Sequence, residues 1–177
     1  GFSWAVNSRE NKLTPWYNDT SLDNDGEMLV LHNGNDFFDV INGSAAEFAA
    51  NSANYKSICG DISCEVWVKV SAVRSGKMIE IILENNSDND KNVSLAYYTE
   101  PVLGVDRRQA RLAPKLCGNI FTLENKANIA VSGFAGIAGA CEKADGETEK
   151  SYVTSRADFW QGRWEKTDIS ACDNPCA

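Results

Sequence analysis

Between residues 64 and 73 (CEVWVKVSAV), Cys64, Val66, Val68, Val70 and Ala72 alternate with Glu65, Trp67, Lys69, Ser71 and Val73. A period of two sends successive side chains to opposite faces of a strand, so the segment predicts a β-strand with one covered face and Trp67 on the other. Ser75 and Gly76 suit a tight hairpin turn into KMIEIILE (77–84), which is β-branched and short enough to predict a second strand rather than a helix. The polar run ENNSDNDKN (84–92) separates it from VSLAYYT (93–99), and the three strands are expected to form an antiparallel meander.

Upstream, MLVLH (28–32) and FFDVI (37–41) read as strands reversed by NGND (33–36). Ser44 followed by Glu47 has capping-box spacing, so AAEFAANSANYK (45–56) predicts a short helix, with an apolar strand as the competing arrangement. Downstream, GVDRRQARLAP (104–114) predicts a short helix that starts at Asp106 and ends at Pro114. NIFTLEN (119–125), NIAVSGF (128–134), KSYVTS (150–155) and GRWEKTDI (162–169) read as further strands or extended pieces. The pattern predicts a mainly β chain, an antiparallel β-sandwich or barrel with one or two short helices. At 177 residues and 19.4 kDa it has the size of a single domain spanning 1–177, with 1–27 expected as an irregular segment wrapping the surface.

Cysteine changes the picture of what holds this fold together. Cys59, Cys64, Cys117, Cys141, Cys172 and Cys176 are an even set without the CxxC pairs of structural zinc sites, and they predict three disulfides. Their pairing is open. An attractive arrangement joins Cys117 to Cys141 and returns Cys172 and Cys176 to Cys59 and Cys64, because long loops constrain the unfolded chain most. Disulfides imply an oxidising, extracellular destination, and Asn18, Asn42, Asn85 and Asn92 each begin a sequon that could carry a glycan there. The first ten residues have neither a basic nor an apolar leader region, which reads as a secreted chain after leader removal.

Net charge is −8, distributed as −5 over residues 1–58, 0 over 59–140 and −3 over 141–177. Such a field opposes a polyanion, so nucleic acid is not an expected partner. The local positive excess is Arg107, Arg108 and Arg111 with Lys115, a group that could hold a carboxylate, sulfate or lipid phosphate. Residues 129–140 (IAVSGFAGIAGA) are uncharged and glycine-rich, suiting either a tight core strand or a membrane-contacting loop.

Candidate chemistry is sparse. His32 is the sole histidine, which excludes histidine-pair and three-histidine mechanisms within one chain, and no nucleophile elbow accompanies it. Glu80 and Glu84 share a strand face with Met78 and Ile82, an amphiphilic arrangement rather than a defined acid and nucleophile. Asp23, Asp25 and Glu27 around Gly26 supply part of a calcium loop, for which an acidic turn is a sufficient alternative. No motif calls for a cofactor. Trp67, Trp160 and Trp164 could stack on sugars or anchor an interface if exposed.

By elimination, the leading expectation is a secreted recognition or effector protein, toxin-like, that binds a protein partner without catalysis through Trp67, Arg107, Arg108, Arg111, Trp160 and Trp164. The alternatives are a lectin-like carbohydrate-binding module, a membrane-active protein, and a secreted hydrolase with paired carboxylates. The expected partner is an extracellular protein or glycan, with membrane contact as a further option.

Overall fold

The computed structural model describes residues 12–15, 26–74, 76–117, 120–127, 151–154 and 156–161, and the backbone of 134–138. The chain divides into two compact units, Asp25–Thr99 and the combination of Gly1–Asn24 with Glu100–Ala177.

The first unit is a β-sandwich. Strand β1 (Glu27–Asn33) turns at Gly34, whose φ of 67° suits a residue without Cβ, into β2 (Asp36–Asp39). Strands β3 (Ala45–Phe48), β4 (Ser52–Cys59), β5 (Ile62–Val70) and β6 (Lys77–Asn85) then form an antiparallel sheet in sequence order. Strand β7 (Val93–Thr99) completes the other sheet, in the order β2-β1-β7.

Three expectations are corrected here. Residues 45–56 form a hairpin, the extended alternative, instead of a helix. Ser44 does not cap forward: its amide and its hydroxyl both donate backward to the Ile41 carbonyl, closing a turn that leaves the following residues extended. The third strand of the expected meander also leaves its neighbour and crosses to β1, with Leu31 opposite Leu95 and Leu29 opposite Tyr97. A polar connection between β6 and β7 is long enough for that crossing. Finally, β5 stops at Val70, because Ser71 begins a loop: its amide donates to the Gly76 carbonyl, and its hydroxyl accepts from the amides of Val73 and Arg74.

Alternation explains why the two sheets face one another. Leu29 and Leu31 from β1, Val40 after β2, Cys59 from β4, and Ile62, Cys64 and Val66 from β5 make one buried cluster. Ile79, Ile81 and Leu83, the inward set of β6, pack against it. Burying side chains of this size is worth about 1.5–3 kcal/mol each, so this layer is the principal source of the unit's stability.

Across one end of the sandwich, Lys77 of β6 places Nζ 2.6 Å from both carboxylate oxygens of Glu27 on β1. The hydroxyl of Tyr97 on β7 donates to the same carboxylate at 3.1 Å. The side chains of Lys77 and Glu27 are 11% and 29% exposed, so this polar clamp joins both sheets while partly shielded from water. Burial, followed by the charge of Glu27, pushes the Tyr97 phenol well above its ordinary value.

The second unit holds an antiparallel sheet ordered β10-β9-β8, built from β8 (Leu112–Cys117), β9 (Ile120–Asn125) and β10 (Phe134–Ala138). Its core joins Leu103, Leu112, Phe121 and Leu123, with Leu13, Ala110 and Tyr152 packed beside them. Asn125 is 4% exposed and fully engaged: Nδ2 donates to the Val102 and Leu103 carbonyls, and Oδ1 accepts from the amides of Arg111 and Ala127. The helix expected from Asp106 to Pro114 is reduced to one 3₁₀ turn, Arg107–Gln109, because Ala110 is already extended and Asn125 captures the amide of Arg111. Pro114 lies in β8, at the edge of its sheet, where a missing N–H is tolerated. A short helix α1 (Arg156–Trp160) follows later in the chain.

Mainly β architecture with a short helix and an antiparallel sandwich therefore stands, whereas the three disulfides do not find support. Cys59 and Cys64 are buried free thiols and Cys117 is an exposed one. Cys141, Cys172 and Cys176 lie outside the described residues, as do most of residues 1–27 and all of 162–169. Within the amino-terminal segment, Lys12 bridges to Gly104, and both Lys12 and Thr14 are buried.

Candidate functional site

Strand register turns the outer face of the β3-β4-β5-β6 sheet into a continuous polar and aromatic surface. Glu47 faces Asn54, Asn54 faces Trp67 and Trp67 faces Glu80, giving one transverse row over all four strands. The neighbouring row places Lys56 beside Glu65 and Glu65 beside Ile82; on the other side Lys69 stands beside Met78. Ile58, Met78 and Ile82 are exposed on this face, so it is amphiphilic rather than purely charged.

Glu65 organises the centre of that face. Its Oε1 accepts from the Trp67 indole Nε1 at 3.1 Å and from Asn54 Nδ2 at 3.0 Å, and Lys56 Nζ is 3.6 Å away. Asn54 is only 3% exposed, which fixes the β4 side of the indole against a filled surface. The Lys69 ammonium lies 5.4 Å from the centroid of the Trp67 ring and 3.1 Å from Glu80 Oε2. Trp67 is thus a half-buried aromatic surface framed by two carboxylates, an amide and two ammonium groups. Amide and carboxylate groups can hydrogen-bond hydroxyls, and an indole face can stack on the C–H face of a pyranose.

The other expected site residues are dispersed. Arg107 turns inward to Glu100, whose side chain is 6% exposed and which also meets Arg156 at 3.4 Å. Arg108 pairs instead with Asp106, and its hydrogen bonds hold that carboxyl below the usual carboxylate range. Arg107 and Arg108 engage different carboxylates and Arg111 is exposed, so the structure does not gather the three arginines into one anion-holding group. Trp160 is exposed and edge-packed on Phe159 in the second unit, while Trp164 lies outside the described residues.

His32 stacks on Phe37 at 4.3 Å between ring centroids. Glu80 and Glu84 share the outer face of β6, both exposed, and Glu80 is paired with Lys69. Glu27, the described member of the calcium candidate, is committed to Lys77 and Tyr97, and Asp23 and Asp25 lie outside the described residues. Among the described residues, no group of three or more His, Cys, Asp or Glu side chains is placed to hold a metal ion.

Two sequon asparagines are tied into local turns: Asn42 Nδ2 donates to Asp39, and Asn85 Nδ2 donates to the Asn89 carbonyl. Asn18 lies outside the described residues and Asn92 is exposed. Residues 134–138 of the uncharged segment run as an edge strand against β9, and the rest of 129–140 is outside the described residues.

Sequence alternation found Trp67 but missed its partners on β4. Glu65 and Lys69 were readable as its same-face neighbours two residues away. Asn54 is not legible in this way, because the capping-box spacing of Ser44 and Glu47 favours a helix over the extended alternative for its segment.

Comparison with known proteins points to carbohydrate chemistry. Residues 1–170 match the family model described as "Glycosyl hydrolase 94, supersandwich domain", which spans both units. A curated relative, cyclic beta-(1,2)-glucan synthase NdvB of Rhizobium meliloti (strain 1021), is 26% identical over 129 residues, 64% of this chain. The matched stretch is 4% of that relative's length, so the chain corresponds to a small part of it. These matches favour a carbohydrate-related domain and correct the expectation of a toxin or effector.

Proposed function

The chain belongs to the glycosyl hydrolase 94 supersandwich family, and from that premise we propose that it acts as a glycan-contacting β domain. Its ligand is an uncharged glucan chain, a class suggested by the beta-(1,2)-glucan in the relative's name. The contact surface is the outer face around Trp67.

The observation that carries this reading is the indole of Trp67 held among Asn54, Glu65, Lys69 and Glu80. Sugar recognition combines an apolar stacking surface with hydroxyl partners at its rim, and this face has both. Its carboxylates, Glu47, Glu65, Glu80 and Glu84, outnumber Lys56 and Lys69, which disfavours acidic polysaccharides and suits a neutral chain.

Calorimetric titration with linear β-(1,2)-gluco-oligosaccharides tests the reading. The chain is expected to bind saturably, and Trp67→Ala to weaken binding by about tenfold, equivalent to about 1.4 kcal/mol. Equal binding by the folded variant would remove Trp67 from the site, and no binding by the parent chain would remove the glucan reading.

A further inference from the structure

We propose that Lys69 and Glu80 form a latch over the Trp67 indole that a glucan must open, so that sugar binding strengthens as salt rises. The proposal rests on the glycan reading of this face and adds a regulation to it.

The Lys69 ammonium lies over the aromatic ring and is anchored by Glu80 at 3.1 Å. A cation over a ring occupies the same π surface that a pyranose C–H face would use. The β4 side of the indole is already filled, since Asn54 beside it is 3% exposed and hydrogen-bonded to Glu65. Stacking therefore requires Lys69 to swing away while Glu65 keeps the indole N–H in place.

Both latch side chains are open to solvent, with 44% of Lys69 and 51% of Glu80 exposed. An exposed ion pair is weak and screened, and an exposed cation–π contact is similarly modest. Salt loosens the latch without penalising a neutral ligand, which gives a dependence opposite in sign to that of an anionic ligand held by lysines. Removing the ammonium frees the ring, so Lys69→Ser is expected to bind a neutral glucan about threefold to tenfold more tightly.

The test is titration of the parent chain, Lys69→Ser, Glu80→Gln and Trp67→Ala with linear β-(1,2)-gluco-oligosaccharide at low and high sodium chloride, with melting curves confirming that each is folded. Affinity of the parent is expected to rise with salt, Lys69→Ser to be tighter and insensitive to salt, and Glu80→Gln to move in the same direction by less. Trp67→Ala binds about tenfold more weakly at both salts. Parent binding that depends on Trp67 but is unchanged or weakened in Lys69→Ser would overturn the latch while leaving the glycan reading intact. No binding by any of the proteins at either salt would overturn both.

Discussion

At the scale of single residues, polar groups in this chain are placed to be satisfied by partners distant in sequence. Glu27 meets Lys77 fifty residues later and Tyr97 seventy residues later, so no local pattern could reveal that clamp. Its partly buried charges make it sensitive: Lys77→Met leaves the Glu27 carboxylate without its cation and is expected to cost about 2–3 kcal/mol in chemical denaturation. Glu100 between Arg107 and Arg156 follows the same logic in the second unit, and Glu100→Gln should lower the stability of that unit by about 3 kcal/mol, read as an earlier loss of its hydrogen-exchange protection.

Two acids, the buried Cys64 thiol and the half-buried Tyr97 phenol, also set an alkaline limit. Burial, then the hydrogen bond with Cys59, pushes the Cys64 thiol up to about 12 from 9.0, and burial raises the Tyr97 phenol above its ordinary 10.0. As pH rises, the unfolded chain therefore releases these protons before the folded one does. Stability is complete below about pH 9 and declines above it as pH climbs towards the folded-state values. Denaturation curves from pH 8 to 11 should show this decline, and Cys64→Ser with Tyr97→Phe should flatten it. Trp67, by contrast, was legible from alternation alone, because one strand's period decides which face a residue occupies.

At the scale of elements, alternation located strands well where the polar positions were regular. It failed where capping residues served another turn. Ser44 has the spacing of a helix cap yet bonds back to Ile41, and the segment after it pairs in register with β5 through β4. Asp106 does cap, but only for one turn, since Asn125 draws the next amide into a tertiary bond. In both cases a contact remote in sequence decided the local structure, as tertiary packing commonly overrides weak local preference. The β4–β5 hairpin depends on Gly60 at φ 64°, where an added Cβ would be 3.7 Å from the Phe38 ring but strained by the backbone. Gly60→Ala is accordingly expected to destabilise the first unit by about 1 kcal/mol, shown by a lower denaturation midpoint with an unchanged slope.

At the scale of the whole molecule, elimination on missing catalytic motifs pointed towards a toxin or effector, and the family match corrects it. Six cysteines suggested three cross-links, whereas Cys59 and Cys64 serve as small buried members of an apolar layer and Cys117 is an exposed thiol. Free cysteine packs like a hydrophobe, so its count alone does not distinguish a bridge from a core position. Family membership supplies what pattern could not, a carbohydrate setting, and the register across β3 to β6 supplies the surface suited to it.

The central claim is that this surface meets the glucan. It is tested most directly by following backbone and indole N–H resonances during titration with linear β-(1,2)-gluco-oligosaccharide. The account predicts saturable shifts concentrated at the Trp67 indole, Asn54, Glu65, Lys69 and Glu80, and about tenfold more glucan needed to produce the remaining shifts in Trp67→Ala. Saturable shifts confined to other residues, or a spectrum that does not change with added glucan, would contradict it.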